Sequence, residues 1–445
     1  MLVLAICCMS LFIVGLDATI VNLALPSIRA DLHASDTGLQ WTVDAYTLVI
    51  ASLLVLSGST ADRIGRRRTF QVGLALFSVG SLLCSIAPNV ELLVVSRMVQ
   101  AVGGSMLNPV AMSIITNTFT ERRERARAIG VWGGVVGLSM ALGPLVGGAL
   151  VGSVGWRAIF WLNVPVGVLA IVLTALFVPE SRAARPRKLD PVGQVLVMLV
   201  LGGSIFGIIE GPGRGWGSPL IVGCFAVAAV ALAALLVYEP RREDPLLELR
   251  FFRSVPFSGA TVIAVCAFAS LGGFLFLNSI YLQETRGLPA FQAGLLTLPM
   301  AAMTAILGPI AGRIVGSWGP RVPLLVAGVA MTAAGVLLST TTADSPVWLL
   351  IVAYAAFGIG FGMVNAPITN TAVSGMPTEQ AGVAAAIAST SRQTGTALGV
   401  AVIGSFADAA STGWWIVAGC GVTVFVLGLV TTGKWARSTT LVRAS

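Results

Sequence analysis

Apolar residues run along this chain in blocks of about twenty, each ended by a short cluster of arginine, glycine, proline or acidic residues. The blocks fall at about 3–27, 41–61, 70–88, 91–117, 127–152, 157–178, 191–209, 219–238, 257–281, 291–312, 323–341, 347–370, 383–408 and 413–433. Each is long enough for a helix to cross a hydrocarbon layer ~30 Å thick. None alternates apolar and polar residues at period two, which excludes a membrane β-barrel. Backbone polar groups in lipid must then be satisfied within each segment, so all fourteen blocks are predicted helices. The pattern alone predicts an all-α polytopic membrane protein.

Composition serves mainly to exclude. The chain is 56% hydrophobic and 10% charged over 445 residues, against about a quarter charged in a soluble domain. A net charge of +8 would suit nucleic acid, but the charges sit in short turns between blocks, as juxtamembrane anchors do, so no nucleic-acid partner is expected. Alternate turns hold 21 of the 27 Lys and Arg, while the opposite side has only Arg29, Arg157, Arg214 and Arg286. The rich side is the cytoplasmic one, which predicts a multi-pass protein of the cytoplasmic (inner) membrane with both termini inside the cell. Trp41, Trp156, Trp348, Trp414 and Trp435 fall at block ends, where an aromatic belt would place them.

Six cysteines lie within apolar blocks without a CxxC pair and read as small buried hydrophobes. "LAIC" before Cys8 has Ile where a lipoprotein box needs a small residue, and no cationic region precedes it. The first block therefore reads as the first span, with a short natural leader allowed before it. His33 is the single histidine and lies in a turn, so no histidine triad or zinc cluster is expected. "GLVTTGKW" has Trp435 where a phosphate-binding loop needs Ser or Thr, which argues against ATP as the energy source. No segment is left over for a soluble enzyme domain.

An internal repeat organises the blocks. "GSTADRIGRRR" follows the second block and "GRIVGSWGPR" the tenth, with Gly58 matching Gly312, Gly65 matching Gly319 and Arg67 matching Arg321. Asp62 has become Gly316, so the copies are not equivalent. An offset of eight blocks on the same side predicts two parallel six-helix halves with two extra helices between them. The expected divisions are 1–178 for the first bundle, 179–256 for the linker pair, 257–434 for the second bundle and 435–445 for a cytoplasmic tail.

Polar residues inside the blocks carry the candidate chemistry. In the fourth block Gln100, Gly104 and Asn108 lie within roughly 60° of Arg97 around a helix. An intramembrane arginine is satisfied either by backbone carbonyls or by a carboxylate. Depth favours the second: Arg97 lies ~9 Å and Asp17, in "LDATIVNLALP", ~15 Å from the outer ends of their spans, so the two can meet in one cavity. Burial and a nearby guanidinium act on a carboxyl in opposite senses, which suits a group that exchanges a proton. Proton binding is thus preferred for Asp17 over a structural hydrogen bond. Asn22, about 140° further round, belongs to another face. Asp44, in "WTVDAYTL", is a second proton candidate or else a helix N-terminal acid. Asn278 and Asn365 are polar points in the opposite wall, and Arg392 reads first as a structural cation.

The turn holding Gly58, Asp62, Arg63, Gly65, Arg66 and Arg67 is too short for more than tying helix ends together, with Asp62 accepting from a helix N-terminus. Gly130, Gly134, Gly137, Ala141, Pro144 and Gly148 share one face of the fifth block. Such a stripe serves close packing or a hinge.

Taken together, "LDATIVNLALP", "GSTADRIGRRR", "RMVQAVGGS", "GVWGGVVGLSMALGPLVGG", "GWRAIFWLNVPVG", "IIEGPGRGW" and "TSRQTGTALGV" resemble the fourteen-helix drug/proton antiporters of the major facilitator superfamily. The likeness covers nearly the whole chain. Ala101 and Ser139 stand where the fourth- and fifth-helix motifs usually have Gly. The resemblance implies the major facilitator fold and a monomeric, cofactor-free exporter that uses the proton gradient and alternating access. It assigns Asp17 and Arg97 to proton coupling, with Asp44 standing beside them as the second proton candidate read from the residues themselves. Asn22, Gln100, Asn108, Asn278, Asn365 and Arg392, the polar positions read inside the spans, are the candidates for the substrate cavity. The 58–67 turn and the helix-five residues Gly130, Gly134, Gly143, Pro144, Gly147 and Gly148 would carry gating and conformational change. A small molecule, protons and the lipid bilayer are the implied partners. "Drug" comes from the resemblance alone, and an exporter of a native metabolite, antibiotic or siderophore would share every motif.

Overall fold

The computed structural model describes residues 2–182, 189–242, 245–246, 248–373, 381–406 and 409–439, without the side chains at 122–123, 126, 129–130, 133–134, 136–137, 140–141, 373, 381–383, 434 and 437. Gly130, Gly134 and Gly137 thus lie outside the described residues. In chain order the helices are α1 (Leu2–Leu32), α2 (Asp36–Ile64), α3 (Arg66–Ser85), α4 (Val90–Thr118), α5 (Arg122–Ser153), α6 (Ala158–Trp161) and α7 (Asn163–Phe177). There follow α8 (Pro191–Arg214), α9 (Pro219–Tyr238), α10 (Val255–Ile280), α11 (Ala290–Trp318), α12 (Arg321–Ser339), α13 (Val347–Val373), α14 (Ala381–Gly404), α15 (Ala410–Thr431) and the short α16 (Lys434–Ser438). Among the described residues no β-strand occurs, and twelve helical segments are long and apolar enough to cross a membrane. The protein is an all-α polytopic membrane protein.

Local signals start these helices where the blocks begin. Ser35 accepts from Gly38 N at 3.1 Å, Asn89 from Leu92 N at 2.8 Å and Ser218 from Ile221 N at 3.5 Å, each satisfying an N-terminal amide that has no intrahelical acceptor. The sixth block is one span in sequence but two helices in space. Pro165 has no N–H to give Trp161 O, and the chain breaks at Leu162 before resuming as α7. That break places Asn163 at the start of α7, facing inward.

Contacts divide the chain into two units, Met1–Gln194 with Leu288–Leu295, and Val195–Gly287 with Leu296–Ser445. Within the first, α1 packs on α5, α3 on α4, α3 on α7 and α2 on α4. Within the second, α10 packs on α14, α12 on α13 and α12 on α15, and Thr304 of α11 donates to Gly358 O of α13 at 3.3 Å. These are the same pairings eight spans later, so the repeat in sequence is a repeat in packing.

Close helix approach needs glycine at the contacts. A Cβ on Gly80 would lie 2.4 Å from Gln100 N, and one on Gly103 2.3 Å from Phe77 N, which brings the α3 and α4 backbones together. At one end of the first unit three turns are tied by Asp31. It accepts from Trp156 Nε1 at 3.0 Å and from Arg157, whose other nitrogen donates to Ala87 O at 3.1 Å. Trp156 is buried by this contact and Trp414 by Phe274, so neither stands in an aromatic belt, whereas Trp348 and Trp435 are exposed.

The extra pair differs in character from the rest. Its first turn belongs to the first unit, where Gln194 Nε2 donates to Ser52 O of α2 at 2.5 Å. Beyond it α8 and α9 touch through Gly203, whose Cβ would meet Cys224 O at 2.9 Å, and most of the α9 surface, including Val222, Val230 and Leu236, is exposed.

Candidate functional site

Asp17, on α1, is the hub of a buried polar network in the first unit. Its Oδ2 accepts from Arg97 Nη1 at 2.6 Å, and its Oδ1 from Gln100 Nε2 at 2.9 Å and from Asn163 Nδ2 at 3.0 Å. Arg97 also donates from Nη1 to Gln100 Oε1 at 2.7 Å and from Nε to Thr42 O at 3.2 Å. The guanidinium carbon lies 4.1 Å from the Tyr46 ring centroid and 5.7 Å from that of Phe160, within reach of both π faces. Ser81 Oγ accepts from Gln100 Nε2 at 2.7 Å and from Asn163 Nδ2 at 3.0 Å. Five spans meet here, counting α6 and α7 as one.

The expected meeting of Asp17 and Arg97 is thus present, but they meet in a packed interior and not in an open cavity. Asp17 and Arg97 are each 1% exposed and Gln100 is fully buried. A buried ion pair is stable only when geometry and extra hydrogen bonds offset desolvation, and here the carboxylate receives three donors. Asn163 and Ser81 were not assigned a role from sequence. Asn163 left a signal, an amide inside "FWLNVPV" with a helix-breaking proline two residues on. Ser81 left none.

Asp44, on α2, has the opposite surroundings. It is fully buried, and among the described residues its Oδ1 accepts only from Thr47 Oγ1 at 3.3 Å and its Oδ2 has no hydrogen-bond partner. It lies inside α2, eight residues beyond the helix start, which removes the helix N-terminal alternative.

The remaining cavity candidates are dispersed. Asn22 is buried and donates from Nδ2 to Ala18 O of its own helix at 3.3 Å. Asn108 is half-buried, with Oδ1 unpartnered among the described residues. Asn278 accepts from Tyr354 Oη at 2.5 Å inside an aromatic cluster in which Phe274 stacks on Phe357 with centroids 4.3 Å apart. Asn365 and Arg392 lie half-buried in the second unit.

The turn between α2 and α3 corrects one expectation. Asp62 does not accept from a helix N-terminus: its Oδ1 takes Arg66 Nη2 at 3.0 Å and Nε at 3.3 Å, one helical turn on. Glu180, the first acid after the sixth span, does so instead. Its Oε1 accepts from Arg67 N at 3.1 Å and Ser181 N at 3.0 Å, Oε2 lies 3.7 Å from Arg68 Nε, and Arg66 N donates to Ser181 O at 2.9 Å. Gly65 has φ 127°, which disfavours any side chain, and a Cβ there would lie 2.6 Å from Glu180 Oε1. Gly58 faces Pro109 with room to spare, and Arg63 is exposed. Replacing Glu180 with alanine is expected to cost about 1 kcal/mol, as loss of an N-terminal acceptor does. A lower melting temperature in detergent and slower transport would be measured, with Glu180→Gln milder on both.

The helix-five motif is a packing device on its described face. A Cβ on Gly143 would lie 1.9 Å from Thr19 Oγ1, one on Gly147 2.6 Å from Ile20 Cγ1 and one on Gly148 2.7 Å from Ala290 O. Pro144 O in turn lies 2.3 Å from where a Cβ on Gly294 would be. Ser139, despite departing from the usual glycine, fits because Gly15 faces it, 2.1 Å from Oγ to the Cβ position.

Among known proteins, the model of the Major Facilitator Superfamily matches residues 7–400. The multidrug resistance protein Stp of Mycobacterium tuberculosis is 36% identical over 397 residues, covering 89% of this chain and 74% of that protein. The tetracenomycin C resistance and export protein of Streptomyces glaucescens is 39% identical over 394 residues, covering 88% and 73%. A crystal structure of a POT family transporter in complex with 5-aminolevulinic acid superposes with a TM-score of 0.74 at 15% identity, over 96% of each chain.

Proposed function

Because the chain belongs to the major facilitator superfamily and is a transporter, not an enzyme, we propose that it is a proton-coupled antiporter exporting drugs or other small amphipathic compounds by alternating access. The relatives named for multidrug resistance and for antibiotic export support the outward direction and the substrate range. The observation that carries the coupling is the contrast between two buried carboxyls of the first unit. Asp17 is committed to Arg97 and two amides, whereas Asp44 keeps an oxygen without a donor among the described residues.

Coupling needs one carboxyl that takes and releases a proton and a second element that registers the change. Asp44 fits the first role, since an unbonded oxygen is where a proton can add. The Asp17–Arg97 network fits the second. Asp44 shares α2 with Thr42 and Tyr46, which both touch Arg97, so a shift of α2 on proton transfer disturbs the guanidinium directly. A proton and a substrate that each favour a different conformation then bias one another, and inward proton flow drives the compound out. The transporter works as a monomer without a cofactor, in the cytoplasmic membrane with both termini inside the cell. The Gly65–Glu180 turn and the α5 face supply gating.

The test is proton flux in proteoliposomes carrying a pH-sensitive dye, with cationic, neutral and anionic compounds added to one side. An active compound is expected to release protons on the side to which it is added. Compound movement that ignores an imposed pH gradient would overturn the coupling and leave facilitated diffusion. A panel in which a single compound is active would favour a dedicated exporter of one metabolite or antibiotic.

A further inference from the structure

The two arginines inside the bundles are treated differently by their surroundings. Arg97 is given a carboxylate, an amide oxygen, a backbone carbonyl and an aromatic face. Arg392 lies 11 residues into α14, ~16 Å along that helix. Among the described residues its guanidinium has one hydrogen-bonded partner, Thr369 Oγ1 on α13, and its buried Nε has none. No described carboxylate forms an ion pair with it. Leaving a guanidinium this poorly served in the membrane interior is costly, and such residues mark substrate or ion pathways.

The neighbours of Arg392 supply the rest of a recognition site within the second unit. Gly395 and Gly399 let α14 lie directly on α10, where their Cβ positions would be 2.5 Å from Val265 O and 2.0 Å from Ala269 O. The arginine thereby passes beside Phe268, its guanidinium carbon 5.8 Å from the ring centroid, before reaching α13. Phe268 makes an edge contact with Phe361 at 5.1 Å. Phe361, Asn365 and Thr369 follow one another at a spacing of four on α13 and so line one face. Thr369 is exposed, and Asn365, Phe268 and Arg392 are half-buried, so the cluster is open to an entering molecule. A fork of donors beside the Phe268 ring, which is itself backed by buried Phe361, with an amide and a hydroxyl on the flank, suits a planar apolar body carrying an oxyanion.

We propose that Arg392, with Phe268, Asn365 and Thr369, forms a subsite that binds the carboxylate of amphipathic organic anions. This rests on the export reading above and deepens it by naming a substrate class. The substrate anion supplies the acceptors that the described residues withhold from Arg392.

The experiment compares 2-naphthoate with its methyl ester, which has the same ring body and no charge, in wild type, Arg392→Gln and Arg392→Lys. Binding is followed in detergent by tryptophan fluorescence, and transport in proteoliposomes under a pH gradient. Wild type is expected to bind the acid at least tenfold more tightly than the ester. Arg392→Gln is expected to lose that preference while holding the ester and its melting temperature unchanged. Arg392→Lys, which keeps the charge and loses the fork, should fall between them. Equal binding of acid and ester by the wild type, or an acid preference that survives in Arg392→Gln, would overturn the proposal. So would parallel loss of acid, ester and melting temperature, which would make Arg392 a structural cation. Arg392-dependent binding without any response to the pH gradient would uphold the subsite and refute the proton-coupled reading.

Discussion

Replacing Arg97 with leucine is expected to destabilise the protein by about 3–5 kcal/mol, the cost of stranding one member of a buried ion pair. The variant leaves the Asp17 carboxylate, among the described residues, with Gln100 and Asn163 only, in a closely packed interior. Asp17→Leu strands the guanidinium in the same way, with Gln100 Oε1 and Thr42 O as its remaining acceptors. Removing both charges at once has a different expected result. Replacement of a buried pair by apolar residues is often neutral or stabilising, and Ser81 still accepts from both Gln100 and Asn163 in the double variant. Its melting temperature should therefore recover most of the loss seen in either single variant, while transport stays abolished. Thermal unfolding in detergent and transport in vesicles would read the two halves separately. A double variant as unstable as the singles would mean that shape, and not charge, holds this site together. A double variant that transports normally would remove the pair from the mechanism.

Asp44→Asn is expected to abolish concentrative transport and to leave equilibration intact. One pH unit is worth 1.36 kcal/mol per proton, which for one proton per neutral substrate supports about a tenfold concentration ratio. Inside-out vesicles with an acidic lumen one pH unit below the medium should accumulate a neutral substrate to about that ratio in the wild type. The asparagine variant should bring inside and outside to equality and go no further, while exchanging labelled for unlabelled substrate at a measurable rate. Asn preserves the volume and an acceptor for Thr47, so a folding defect is not the expected outcome. Accumulation that still follows the pH gradient in Asp44→Asn would show that the proton travels by another group.

Much of the architecture was legible because the membrane imposes a simple rule on sequence. The apolar blocks became helices, twelve segments among the described residues being long and apolar enough to cross a membrane, and even the eight-block offset of the repeated turn reappears in the helix pairings. The site was legible in part. Asp17 and Arg97 were conspicuous as charges in apolar runs, and their similar depths predicted that they meet. What closes the network was visible only in part, because Ser81 reaches Asp17's surroundings from a distant helix and leaves no trace, while Asn163 is marked only by an amide ahead of a proline. Asn163 depends further on the helix break before Pro165. The depth argument also placed the pair in a cavity, since depth says nothing about how tightly five spans close around a point. Charge alone misassigned the turn: Asp62 had the motif position, but the Arg66 side chain, just past the Gly65 break at the start of α3, occupies it, and Glu180 takes the Arg67 amide of α3. Tryptophans at block ends misled for a similar reason, since Trp156 and Trp414 are claimed by partners far along the chain.

The outward-facing side chains of α9 carry a consequence for how this sequence is free to drift. Lipid accepts any aliphatic chain of adequate length, so Val222, Val230 and Leu236 answer to a compositional demand and not to the fit of a neighbour. A methyl gained or lost there meets only fluid acyl tails. The first helix has no such latitude: around Asp17 each atom already has an assigned neighbour, and inheritance there must be nearly literal.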